Sequence, residues 1–108
     1  MGEYQRLLPL LRERVLKPMD FAVMGYLQSY IDVKTGRIER RTKEVVEETG
    51  LSDPYVAMSL KRLRQQKLLV KGLIGTGYFW MLDPSIWHVG GPRLYQQRKA
   101  QFRRLLSE

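Results

Sequence analysis

Cysteine is absent from the 108 residues, which excludes disulfides and thiolate metal sites. Histidine occurs once. His88 has no carboxylate pair or hydroxyl nucleophile beside it in the sequence, so it makes neither a triad nor a metal site and is expected to be structural. No uninterrupted apolar run exceeds a few residues, so nothing reads as a membrane span. No basic segment leads into an apolar one as in a secretory signal, and Arg6 fails the myristoylation pattern. A cytoplasmic, nucleoid-associated protein without membrane, metal or cofactor is therefore expected. Acidic side chains are scarce in the second half: residues 55–108 hold ten Lys and Arg but only Asp83 and Glu108, whereas residues 1–54 balance nine cations with nine anions. A nuclease or tyrosine-dependent strand transferase needs clustered carboxylates or paired histidines, so the chain is expected not to be an enzyme and to have no catalytic residues.

The net charge of +8 thus arises entirely after residue 54. A positive field of that kind attracts polyanions, and phosphate neutralisation by Lys and Arg is the sequence-independent part of DNA affinity. Solubility alone would explain neither the sign nor the asymmetry. The length suits one domain with a single core, and the 44% hydrophobic content argues against disorder. We expect a core over residues 18–84, an N-terminal helix within 1–17 and a C-terminal helix over 92–107.

The positive field begins inside residues 42–69, TKEVVEETGLSDPYVAMSLKRLRQQKLL, which read as a helix-turn-helix. Thr42 is a cap candidate, Val45 and Val46 are apolar, and Gly50 stands where a helix end favours a left-handed residue. Leu51 plugs the turn, Ser52 caps the second helix and Pro54 lies in its first turn, where a missing N–H is harmless. Val56, Leu60 and Leu63 form one stripe at i, i+4 and i+7. The other face carries Tyr55, Ala57, Met58, Lys61, Arg62 and Arg64, short side chains first and cations later, which suits a helix entering a major groove N-terminus first. Taken alone, such a helix is as well explained by a solvated surface.

Before this unit, residues 3–17 put Leu7, Leu8, Leu11 and Val15 on one helical stripe, kinked at Pro9 or starting there. Residues 18–30 predict the first core helix, with Phe21, Met24, Leu27 and Ile31 inward and Asp20 favourably placed for the helix dipole. Lys34 to Ile38 give a turn and a short edge strand that pairs with a later hairpin. That hairpin is expected as a strand at 68–71, a glycine-rich tip at 72–77 and a strand at 78–82, ended by Asp83 and Pro84. Gly72, Gly75 and Gly77 lack the dinucleotide-binding spacing, so a hairpin tip is the reading. Tyr78, Phe79, Trp80 and Trp87 are assigned to the core, with a stacking platform for single-stranded bases as the alternative. The C-terminal helix has a broken stripe of Leu94, Tyr95, Phe102, Leu105 and Leu106. It is expected to pack on the N-terminal helix or across a two-fold axis, making a homodimer through the terminal helices.

The order helix, short strand, helix, turn, helix, hairpin resembles the winged helix-turn-helix superfamily, and over residues 18–82 it looks like the MarR and GntR type of regulator. The stretch YFWMLDPSIWHVGGP is similar to RepL-type plasmid replication proteins, with Asp83 where asparagine is common in that group. The resemblance implies an α+β, mostly helical fold, a winged helix-turn-helix with a small β-hairpin wing and added terminal helices. It implies a double-stranded DNA partner, and a role in plasmid or mobile-element replication and copy control or in transcriptional regulation. Contacts would come from Ser52, Asp53, Tyr55, Ala57, Met58 and Lys61 of the recognition helix, with Arg62, Arg64 and the wing residues Lys71 and Thr76 on the backbone. Asp53 would accept from a cytosine amino group or cap the helix beside Ser52, capping being preferred. A winged helix used as a protein-interaction module is the competing class, which Tyr55, Ala57 and Met58 leave open.

Overall fold

Proline and glycine set several of the element boundaries. The computed structural model describes residues 7–87 and 91–108, so the expectations for residues 1–6 and for His88 lie outside the described residues. The elements are α1 (Leu7–Arg12), α2 (Pro18–Gln28), α3 (Thr42–Thr49), α4 (Asp53–Gln65), β1 (Leu69–Ile74), β2 (Gly77–Leu82) and α5 (Pro92–Leu106). The fold is α+β, about half helical, with one two-stranded antiparallel sheet among the described residues. Pro18 and Pro92 each open a helix. Gly50 ends α3 in the left-handed region at φ 76°, and its N–H donates to the Val46 carbonyl. Lys67 takes the left-handed position after α4 at φ 60°, and the Leu68 N–H returns to the Leu63 carbonyl, closing the helix end without a glycine.

The hairpin separates two apolar layers. Strand alternation puts Leu69, Lys71 and Leu73, with their partners Leu82, Trp80 and Tyr78, on one face. On that face Leu69, Trp80 and Leu82 join Val23, Met24, Leu27, Val45, Val56, Leu60 and Leu63 of α2–α4 in the main core. On the other face Val70 and Met81 meet Phe102, with Leu105 beside them. The expected packing of the two terminal helices on each other is thus corrected, because α5 spends Phe102 and Leu105 on the hairpin. Burial of Phe79, Trp80 and Trp87 agrees with their assignment to the core, and Tyr78 is half-buried.

The expected short edge strand is a single bridge, Ile38 to Trp80, with both backbone hydrogen bonds made. Four local expectations need correction. The cap of α3 is Arg41, not Thr42, because Glu44 at the third helical position accepts from the Arg41 N–H at 2.9 Å. In α1, Leu7 is buried while Leu8 and Leu11 are exposed, since the helix ends at Arg12 and Arg14 turns left-handed, bringing Leu16 into the core in their place. Helix α2 stops at Gln28; Val23, Met24 and Leu27 fill the core, and Phe21 and Ile31 lie at its margin. The strand expected at 68–71 continues to Ile74, and the turn is only Gly75 and Thr76, with Gly75 at φ 58°. Gly72 is a strand residue: a Cβ there would lie 2.2 Å from Cζ of Phe79, its cross-strand partner, so the ring covers the backbone where a side chain would stand.

Candidate nucleic-acid interface

Helix α4 is built by local rules at its start and by a buried charge in its middle. The Ser52 hydroxyl accepts from the Tyr55 N–H at 3.3 Å, and Pro54 occupies the first turn. Val56, Leu60 and Leu63 are buried as their spacing predicts, and Ser59 is buried with them. Ser59 donates to Oδ1 of Asp20 at 2.7 Å, and Arg62 donates from Nε to Oδ2 at 3.0 Å and from Nη2 to Oδ1 at 2.8 Å. The Lys17 N–H adds a further bond at 2.8 Å. Asp20 is 0% exposed. Burial alone would raise its carboxyl pKa; the hydrogen bonds from Arg62, the Lys17 amide and Ser59 outweigh that and hold it below the usual carboxylate range.

This arrangement sorts the sequence-derived residues. Arg62 is committed to Asp20 and lies 5.8 Å from the Tyr55 ring centroid, and both side chains are half-buried. The Arg62 fork thus has a structural partner, a carboxylate that would otherwise be buried and unpaired. Asp20, read from sequence as a dipole partner, is the anchor of the recognition-helix candidate. Ser52, Asp53, Ala57, Met58, Lys61 and Arg64 remain exposed along α4, with Met58 at 57%.

Beside that face runs a groove of about 730 Å³ between α4 and the hairpin, lined by Lys61 and Arg64 from the helix and by Lys71, Tyr78 and Trp80 from the strands. Thr42 at the start of α3 and Leu105, Leu106 and Glu108 at the end of α5 also line it. Lys61, Arg64 and Lys71 form no salt bridge with a carboxylate among the described residues. The Lys71 ammonium lies 4.4 Å from the Tyr78 ring centroid and 5.8 Å from that of Trp80, and the Arg64 guanidinium lies 5.9 Å from the latter. These ring faces steer the two cations along the groove wall while leaving their N–H groups open to a further acceptor. The Trp80 Nε1 is buried with no hydrogen-bond partner among the described residues. Thr76 is exposed in the hairpin turn, outside the groove. The sequence reading missed Thr42 and the end of α5 as groove walls, since both arrive by tertiary packing.

Two other cations, Arg98 from the positive half and Arg40 from the neutral half, have structural partners. Arg98 is buried on α5, donates to the Val33 carbonyl and packs over Gly36, where a Cβ would lie 2.8 Å from its side chain. Arg40 pairs with Glu44 at 2.7 Å and stacks 3.7 Å from the Tyr30 centroid. Beside it Glu48 accepts from Tyr26 and, at 3.0 Å, from Tyr30. Hydrogen bonding from Tyr26 holds Glu48 below its usual pKa, while burial and the same carboxylate push Tyr26 up, which makes that hydroxyl a poorer nucleophile and a firmer tie between α2 and α3.

Among the described residues no three acidic or histidine side chains come together as a metal site, and no helix is long and apolar enough to cross a membrane. No protein-family model matches the sequence, and neither a curated protein nor a solved structure matches the chain.

Proposed function

We propose that this chain is a winged helix-turn-helix binder of double-stranded DNA, with α4 as recognition helix and the β1–β2 hairpin as wing. The element order supports the reading: α2, the Ile38 bridge to β2, α3, α4 and the hairpin follow one another as that architecture requires. The observation that carries it is the convergence of Lys61 and Arg64 from the helix with Lys71 from the hairpin along one groove, none held by a carboxylate of the described residues. Cations from two elements along one trough match a phosphate backbone running beside a helix seated in the major groove. Ser52, Ala57 and Met58 face the base edges, Lys61, Arg64, Lys71 and Thr76 the backbone, and Asp53 favours the helix start beside Ser52.

The role within DNA binding is replication or copy control of a mobile replicon, or transcriptional regulation; similarity of residues 78–92 to RepL-type proteins supports the first. A homodimer would present two recognition helices to a palindrome with half-site centres about 34–36 Å apart. The exposed Met58 favours one competing reading, a protein-docking face on α4. Selection from a randomised duplex pool at physiological salt, followed by salt titration of the enriched duplex, separates them. A DNA reader enriches a defined site. No enrichment, with only steeply salt-dependent binding, rejects sequence reading and brings the protein-docking face forward.

A further inference from the structure

Leu73 is 81% exposed, the highest value among the exposed large apolar side chains of the described residues, and it stands next to last in β1, at the free end of the hairpin. Ile74 follows at 42%. Beyond them the turn offers only Gly75, Thr76 and Gly77, so no bulky side chain shields Leu73 from whatever the tip approaches. A single exposed leucine is ordinary on a protein surface. Its placement is not: Leu73 belongs to the same strand face as Lys71, the face that lines the cationic groove beside α4. Two residues of strand carry it about 7 Å past Lys71, close to the roughly 6 Å width of a DNA minor groove.

Resting on the DNA-binding reading above, we propose that Leu73 is a wedge that enters the minor groove at a flexible pyrimidine–purine step, partly unstacks it and bends the duplex. Apolar side chains delivered beside cations act in this way because unstacking is offset by the added wrapping that a bent duplex permits. The hairpin end is a ribbon two strands wide, too narrow for the broad apolar patch that marks a protein-docking surface, yet its lean turn lets one side chain reach deep.

The test uses the full chain and a duplex of about 30 base pairs carrying the selected site, labelled at both ends for energy transfer, with a fluorescent adenine analogue at a TA step in the flank. The wild-type protein is expected to shorten the end-to-end distance by a bend in the range of about 20–90° and to raise the analogue's fluorescence. Leu73→Ala should abolish both signals and leave the melting temperature and salt dependence unchanged. Lys71→Ala should weaken binding yet keep the bend at saturating protein. Wild-type binding to straight DNA, or an unchanged bend with Leu73→Ala, overturns the wedge and leaves duplex binding intact. Absence of duplex binding at any salt overturns the DNA reading itself, and the wedge with it.

Discussion

Replacing Arg62 by alanine removes both guanidinium bonds from an Asp20 carboxylate that has no solvent exposure, leaving Ser59 and the Lys17 amide to hold a buried charge. Breaking a buried pair by deleting one partner typically destabilises by 3–5 kcal/mol. Arg62 keeps 17% of its side chain exposed, so the loss should fall near the lower end, about 3 kcal/mol. For a domain of this size that is a large share of the whole stability and lowers the melting temperature by on the order of 10–20 °C. The assay is thermal and urea unfolding followed by circular dichroism, with Asp20→Ala and the double variant completing a cycle. The double variant should be no less stable than either single one, because it buries no lone charge. The pH dependence has a definite sign: the native carboxyl is held low, so its stabilisation is fully present above the unfolded value of about 3.9 and fades as pH falls through the native value. Asp20→Asn should therefore flatten the acid limb of the stability curve. An Arg62→Ala protein with unchanged melting temperature and a salt slope reduced by about 1 would refute this reasoning and return Arg62 to the DNA backbone.

Lys61→Ala, Arg64→Ala and Lys71→Ala should each reduce the slope of log K against log salt by about 1 without altering melting, as expected of exposed cations that each neutralise one phosphate; an unchanged slope removes that residue from the interface. Gly72→Ala should destabilise by about 1–3 kcal/mol, because its methyl collides with the Phe79 ring, and urea midpoints will register it; an unchanged midpoint would mean the ring moves freely aside. Lys67→Gly should stabilise by up to about 1 kcal/mol, since a left-handed backbone strains any residue with a Cβ and the Lys67 side chain is exposed; a lowered urea midpoint would show that lost chain entropy outweighs the strain.

The residues whose roles were legible in the sequence are those that act on near neighbours. Ser52 caps its helix through the amide of Tyr55, three residues on, Gly50 supplies a left-handed turn by lacking a Cβ, and Val56, Leu60 and Leu63 share a face through helical periodicity alone. The chain thereby determined the two consecutive helices α3 and α4, its hairpin and the half of the molecule that carries the positive charge. Tertiary structure decided what those pieces face. Asp20 and Arg62 lie 42 residues apart, and nothing local distinguishes that arginine from Arg64, which stays exposed. Gly72 looks like a turn glycine until Phe79 is seen above it across the strand pair. The stripe on α5 could have met another helix or a second subunit, and only packing against Val70 and Met81 assigns it to the hairpin. The convergence of Lys61, Arg64 and Lys71 on one groove likewise depends on how the hairpin lies against α4, a geometry created by burial of Leu60, Leu69 and Trp80 and carried by no stretch of sequence on its own.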